Sequence, residues 1–329
     1  MPDTIPANSL GVAIVNYRTA DLVCRCLAAL AVEKSAWRDF HVVIVDNASA
    51  DDSVAILEHH IAQQQWQDWV TVIAAPRNGG FSYGNNIAFR RLEALHCDYI
   101  WMLNPDTLPL PGASSALRDL LQGNACVGMA GSRLEDEDGT AQVSAFNYPT
   151  PLGELLTSSR LGLLAERFPQ AVVAPPVAAQ AHRSDWLAGA SIMFPVSLLR
   201  EVGYMDEQYF LYFEEVDYCR SVAASGREIW YCPDSRVVHM VGAATGISDE
   251  RKQAPRRPRY WFDSRRRYYR KNHGLFAAVS ADLLWLAGYS SWLVRRTLQR
   301  KPNNDPPYFL RDFLRFSLFG DLCDRAVRP

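Results

Sequence analysis

No CxxC pair occurs in this sequence, and its seven cysteines are an odd number. Cys24 and Cys26 stand two apart, a spacing that points them away from each other on a helix. A disulfide framework and a zinc role are set aside on that pattern. The opening residues MPDTIPANSL lack the basic start and apolar run of a signal peptide, so a reducing cytoplasm with free, mostly buried thiols is expected. There is no GxGxxG and no GxxxxGKS/T, and with them go the dinucleotide and P-loop readings. No internal repeat is visible. Net charge is also nearly missing: 34 basic side chains against 36 acidic ones leave −2. With 48% hydrophobic residues, disordered and collagen-like classes are excluded. The 329 residues suffice for two units or one large one.

The near-zero total conceals a division. Residues 1–249 hold 16 basic and 29 acidic side chains, or −13, whereas residues 250–329 hold 18 and 7, or +11. Such a split suggests two jobs, with an anionic partner for the tail. The first half alternates apolar runs (Gly11–Val15, Val42–Val45, Val70–Ala74, Tyr99–Leu103) with amphipathic segments (Asp21–Val32, Asp51–Gln65, Ser82–Leu95). Strands apolar throughout, between such helices, predict a parallel sheet covered on both faces, with Asp21 and Asp51 as N-caps. Ligands then bind at the carboxyl ends of the strands. Later come a Pro/Ala/Val-rich excursion at 168–183, a strand near Ala190–Phe194, short helices at Leu198–Val202 and Glu214–Ser225, strands near Ile229–Tyr231 and Arg236–His239, and a linker from Gly242 to Pro258.

The residues after each strand are small and polar. Asn16-Tyr17 follows the first; Asp46 and Asn47 follow the second, where they suit the imide and ribose of a pyrimidine nucleotide or, equally, a helix N-cap. Asn78-Gly79-Gly80, with Asn85 and Asn86 just beyond, opens a helix whose amides favour phosphate, or forms a glycine turn with asparagine caps. Asp106, after Asn104-Pro105, is placed to bind Mg²⁺ or Mn²⁺ bridging a diphosphate, or is a turn aspartate. Glu214, Glu215 and Asp217 put three carboxylates in four residues at a helix start amid aromatics. Such surroundings raise a carboxyl pKa and suit it to proton abstraction; a solvated acidic N-terminus is the alternative. His239 is structural unless it completes a metal sphere with Asp106.

In order, VAIVNYRT (12–19), VIVDNASADDS (43–53), NGGFSYGNN (78–86), LNPD (103–106), DWLAGA (185–190), MDEQYFLYFEEVD (205–217) and Val238-His239 resemble the family 2 glycosyltransferases of GT-A fold, particularly their rhamnosyltransferase-like branch. The resemblance spans residues 10–245. It implies an α/β, Rossmann-like, mostly parallel sheet with a C-terminal helical extension. Asp46 would contact the base, with Asn16, Asn78 and Asn85 or Asn86 near the nucleotide. Asp106 matches the last carboxylate of the family's DxD metal motif, whose first position is Asn104 here, and His239 completes metal or diphosphate binding in some relatives. Glu215 matches the general base, with Glu214 as its neighbour and rival; Asp185, Trp186 and Gly189 match the acceptor-side segment, to which Asp217 is added. The implied reaction is inverting transfer, by single displacement, of L-rhamnose from dTDP-L-rhamnose to a saccharide or polyprenyl-diphosphate-linked acceptor in cell-surface polysaccharide synthesis. UDP-hexose or UDP-N-acetylhexosamine transfer, or a non-catalytic nucleotide-sugar or membrane-binding module, are the rivals. The expected organisation is a catalytic domain at 1–249 (nucleotide half about 8–110, acceptor half about 111–249) and an extension at 250–329.

In the tail, eight Lys or Arg and one Asp lie between Arg256 and Lys271, interleaved with aromatics. Leu275–Val294 follows; it is just long enough to span a bilayer, but Asp282 and positive charge at both ends argue against spanning. Its apolar content is too high for a nucleic-acid arm. A helical appendage packed on the acidic domain is one reading. Interfacial association with an anionic membrane, on the inner face of the cell membrane, is the favoured one.

Overall fold

The apolar runs form the strands the pattern predicts. In a computed structural model, which describes residues 8–240, 254–318 and 320, the first four are β1 (Ser9–Asn16), β2 (Asp39–Asp46), β3 (Val70–Ala74) and β4 (Tyr99–Leu103). They pair in parallel in the order β3-β2-β1-β4. The crossovers are α1 (Ala20–Glu33), α2 (Ser53–Gln64) and α3 (Phe81–Ala94). Every residue of β1 is buried, as a strand covered on both faces requires. Alternate residues feed separate cores: Leu10, Val12, Ile14 and Trp101 pack on one face, Ala13, Val43, Ile100 and Met102 on the other.

The helix starts differ from expectation. Thr19 and Asp52, not Asp21 and Asp51, occupy the N-cap positions, and neither side chain caps. The Asn16 carboxamide oxygen accepts from the Thr19 N–H (3.2 Å) and hydroxyl (2.9 Å), and α1 starts two residues earlier than an Asp21 cap would set it, which leaves Asp21 in its first turn. Asp51 instead accepts from the Ser53 N–H (2.9 Å) as an Asx turn.

After β4 the sheet becomes mixed. Its further strands are β5 (Thr107–Pro109), β6 (Val127–Glu135), β7 (Ala145–Phe146), β8 (His182–Arg183), β9 (Trp186–Leu187), β10 (Ser191–Pro195) and β11 (Glu228–His239). The main sheet continues β4-β10-β6-β11-β5, with β8 on β11; β7 and β9 pair separately. β10 runs antiparallel to β4 and β6, while β11 runs parallel to β6 and antiparallel to β5. The two strands expected at 229–231 and 236–239 are one strand with a register shift between Cys232 and Arg236. The helices after α3 are α4 (Ala113–Gly123), α5 (Pro151–Ser159), α6 (Gly162–Arg167), α7 (Leu198–Val202) and α8 (Glu214–Ala224). Most of the linker expected at 242–258 lies outside the described residues.

The extension is α9 (Arg259–Leu298), broken at Gly274 where φ is 80°, and α10 (Phe309–Phe313). It packs on the preceding α/β region through α5. A Cβ on Gly288 would stand 2.2 Å from Ser158 Oγ and 2.8 Å from Leu155 O, so the two backbones approach to a distance only glycine permits. Tyr268, Tyr269, Ala278 and Ala281 share a core with Tyr209 and Val216, while Phe262, Trp285, Tyr289, Trp292 and Phe313 form the extension's own core. Much of the basic charge turns inward. Arg265 is paired with Glu154 and Asp282, Arg267 and Lys271 with Asp206, and Lys271 also with Asp217. The charge split of the sequence is therefore partly an interface within the molecule. Asp282, read as an obstacle to spanning, is a partner of Arg265. No described helix is long and apolar enough to cross a membrane.

Candidate active site

The carboxyl edge of β1, β2 and β4 gathers the polar residues. Asn16 and Asp46 are register partners, and the Asn16 amide donates to Asp46 Oδ1 (2.7 Å). Asp46 also accepts from the Ser49 hydroxyl (2.5 Å) and N–H (3.0 Å). Ser49 in turn accepts from the Arg18 N–H (2.9 Å), so its role is to hold the two strand ends together. Tyr17 projects outward, 42% exposed, with the Arg18 guanidinium 5.3 Å from its ring.

Asn47 joins this edge to the glycine loop. Its amide donates to Asn78 Oδ1 and Gly80 O (3.0 Å each), and its oxygen accepts from Gly79 N–H (3.3 Å). Gly80 takes φ +87° because the chain passes against residue 210: an added Cβ would lie 2.0 Å from Phe210 O. Gly80→Ala should therefore lower the thermal midpoint measurably. The backbone conformation alone costs about 1–3 kcal/mol for any other residue, and the overlap adds to it. An unchanged midpoint in a melting scan would show that the 210 segment moves freely away.

The asparagines of α3 divide. Asn86 is a clamp: it donates to Met205 O and Glu207 Oε1 (2.9 Å each) and accepts from Met205 N–H (3.0 Å). Asn85 donates to Phe81 O (3.1 Å), but its buried oxygen and the neighbouring Ser82 hydroxyl have no hydrogen-bond partner. Ser82 had no sequence signal beyond its place at a helix start.

Asn104 and Asp106 follow the end of β4, and β5 brings them to His239 through the register pair Thr107 with His239. His239 Nε2 lies 3.6 Å from Asp106 Oδ1. Burial holds the imidazole below its usual range, against the pull of Asp106 and Asp136. With Nδ1–H directed at Gln142 Oε1 (3.1 Å), Nε2 keeps its lone pair on the Asp106 side. Gln142, which nothing in the sequence marks, thus orients the ring. The buried Asn104 Oδ1 has no hydrogen-bond partner. A carboxylate, an imidazole nitrogen and an amide oxygen are donors Mg²⁺ or Mn²⁺ accepts. Among the described residues no group of three or more His, Cys, Asp and Glu side chains could hold a metal ion. A cation here would complete its shell from water and diphosphate oxygens, as Mg²⁺ commonly does.

The carboxylate pair stands at the start of α8. Tyr212 and Phe213 both have positive φ (71° and 67°), a sharp turn that launches α8 at Glu214. Glu214 is buried with Oε2 unpartnered; burial first, then the Glu215 charge, drives its pKa well up. Glu215 is half-buried, and burial pushes its carboxyl up to about 7. Its Oε2 is shielded and also unpartnered. Gly189 sits opposite, where an added Cβ would be 3.6 Å from Glu215 Cβ and from the Phe81 ring. Of the pair, Glu215 alone combines partial access with a pKa near neutrality, which suits a proton acceptor.

The other expected acceptor residues are differently engaged. Asp185 accepts from Tyr148 N–H (2.8 Å); Trp186 donates to Asn147 O (2.9 Å) and stacks on Phe146 at 4.1 Å. Both brace the segment around 147. Asp217 is buried, accepting from Tyr209 OH (3.2 Å), Lys271 Nζ (2.6 Å) and the Asn272 amide (2.8 Å). It ties α8 to the extension. Tyr260 of the extension stacks on Tyr212 (6.1 Å), so the extension also backs the turn that precedes the pair.

Residues 11–167 match the model of glycosyl transferase family 2. The N-acetylglucosaminyl-diphospho-decaprenol L-rhamnosyltransferase of Mycobacterium tuberculosis is 26% identical over 261 residues, covering 75% of this chain and 79% of that protein. The low-salt glycan biosynthesis hexosyltransferase Agl10 of Haloferax volcanii is 25% identical over 240 residues (70% and 67%). Rhamnosyltransferase WbbL of Escherichia coli is 24% identical over 165 residues (49% and 60%). Among solved structures, the mannosyltransferase PcManGT from Pyrobaculum calidifontis, in complex with GDP-Man and Mn²⁺, superposes with TM-score 0.54 at 14% identity, over 99% of this chain and 82% of that one. S. aureus TarS 1–349 with UDP gives 0.50 at 16% identity (90% and 75%). Together with a half-parallel sheet carrying its polar residues on one edge, these matches place the chain among the family 2 glycosyltransferases, in the rhamnosyltransferase-like branch and on the GT-A fold.

Proposed function

We propose that the protein transfers L-rhamnose from dTDP-L-rhamnose to a polyprenyl-diphosphate-linked saccharide, with inversion, at the inner face of the cell membrane. The observation that carries the reading is the pairing of a half-buried Glu215, its carboxyl near neutrality, with an Asp106–His239 edge suited to a diphosphate and its cation. Similarity to two rhamnosyltransferases supports the choice of sugar. Glu215 takes the proton from the acceptor hydroxyl as its oxygen bonds to the anomeric carbon. The bond from that carbon to the β-phosphate oxygen breaks, and dTDP leaves on the opposite face. Asp106 and His239 would hold Mg²⁺ or Mn²⁺, which supplies neutralising charge for the departing diphosphate. Asn16, Asp46, Asn47, Asn78, Gly79 and Gly80 frame the nucleotide subsite, and Asp185, Trp186 and Gly189 the acceptor side.

A thermal-shift panel of nucleotide sugars, with and without Mn²⁺, tests this. Stabilisation by dTDP-L-rhamnose that grows with Mn²⁺ is expected. Stabilisation by UDP-hexoses alone would replace the donor, and none by any nucleotide sugar would remove the reading. Asp106→Ala should weaken Mn²⁺ binding by at least about 10- to 100-fold. If the Mn²⁺-dependent shift survives in that variant, Asp106 is not a ligand.

A further inference from the structure

Most cations at the start of the extension are matched by carboxylates. Arg256 pairs with Asp312 (2.6 Å), Arg259 with Asp263 (3.3 Å), Arg265 with Glu154 (3.0 Å) and Arg267 with Asp206 (2.5 Å). Arg257 differs. No carboxylate among the described residues pairs with it, and its buried Nε has no hydrogen-bond partner. Its guanidinium lies over the Trp261 ring at 5.4 Å. A buried donor of this kind is costly to leave unmet, and phosphate oxygens match a guanidinium fork.

The surroundings of Arg257 lead to the proton acceptor. Trp261 meets Phe213 edge-on at 6.3 Å, and Phe213 directly precedes Glu214 and Glu215. Tyr260 stacks on Tyr212 (6.1 Å) and tilts onto Phe210 (5.2 Å), which is 37% exposed. Burial raises the Tyr212 pKa, Arg257 opposes the rise, and Glu214 and Glu215 add to it, so all three charges reach one ring. Positive φ at both Tyr212 and Phe213 is a costly backbone, and two rings of the extension pack against it. A cation and an exposed apolar ring thus flank the turn that carries the proton acceptor. In the proposed reaction the donor diphosphate lies elsewhere, at the Asp106–His239 edge. A saccharide on a polyprenyl diphosphate needs a second anion site, because its own diphosphate stands one sugar ring from the reacting hydroxyl and is followed by hydrocarbon.

We propose that Arg257 binds the diphosphate of the lipid-linked acceptor, with the start of the hydrocarbon chain against Phe210. The proposal rests on the acceptor class given above and gives the extension a part in selecting it. The test is equilibrium binding of geranyl diphosphate and of geraniol to the full chain, with the nucleotide site filled by saturating dTDP. Wild type should bind the diphosphate in clear preference to the alcohol. Arg257→Gln should weaken diphosphate binding by about 10- to 100-fold, the range for a hydrogen bond to a charged group, while dTDP affinity stays as in wild type. Arg257→Lys keeps the charge but not the fork; it should fall between the two and keeps the test readable if the glutamine variant unfolds. Arg300→Gln, at an exposed position beyond the far end of α9, should change nothing. Equal diphosphate binding by wild type and Arg257→Gln would overturn the role of Arg257 and leave the acceptor class standing. No preference of wild type for the diphosphate over geraniol would overturn both. A parallel loss of dTDP affinity in Arg257→Gln would move Arg257 to the donor side and overturn the proposal as well.

Discussion

Glu215→Gln is expected to lower kcat by about 10²- to 10⁴-fold while donor binding is retained, the range that a positioned general base supplies. Glutamine fills the same half-buried place between Gly189, Phe81 and the Tyr212-Phe213 turn but accepts no proton. The pH profile should agree. Burial holds the Glu215 carboxyl near 7, and only the ionised form is a base, so kcat/KM should rise as pH rises through about 7. Because Glu214 adjoins it, the observed value belongs to the pair. Stability should run the other way. Folded pKa values raised above the unfolded ones mean that the native state binds protons more tightly. The pair's stabilising contribution is then complete in acid and is lost as pH rises through about 7. Glu215→Gln should accordingly melt no lower than wild type at pH 8. Wild-type turnover in Glu215→Gln, with the loss appearing in Glu214→Gln, would move the base one residue back.

Arg265→Ala should cost about 3–5 kcal/mol, the usual penalty for removing one partner of a buried ion pair. Arg265 is 1% exposed and serves both Glu154 on α5 and Asp282 on α9. Without it a buried and a partly buried carboxylate lose their shared counter-charge; burial already raises the Asp282 pKa in its presence. Urea unfolding should show the loss as a lower midpoint or as early separation of the extension. Turnover should fall as well, since Lys271 and Asn272 of the same helix hold Asp217 on α8. A loss below about 1 kcal/mol would mean that the extension is held by its apolar contacts alone.

How much of this was legible depended on range. β3 and β4 run over the residues the apolar pattern marks, because a short run of β-branched and apolar residues between helical segments is a local signal that needs no information from elsewhere. The polar residues at their carboxyl ends were visible for the same reason. β6 was not, since Val-Gly-Met-Ala-Gly-Ser breaks the apolar run with two glycines and a serine that the packed sheet tolerates. Asn86 reads like Asn85 in sequence. Only the chain's return at Met205 and Glu207 makes one a clamp and leaves the other with an unpartnered oxygen.

The sequence alone determined the strand–helix alternation, the edge where polar residues gather and the acidic pair beside an aromatic turn, because these are local patterns of period, cap and composition. The tertiary structure decided which charges meet. It set His239 against Asp106 across 133 positions of chain, turned Asp217 from the acceptor side toward Lys271, and spent much of the tail's basic charge on Glu154, Asp206, Asp217 and Asp282. Such pairings depend on long-range packing that brings distant segments into one low-dielectric space, and no periodicity in a linear chain carries that information.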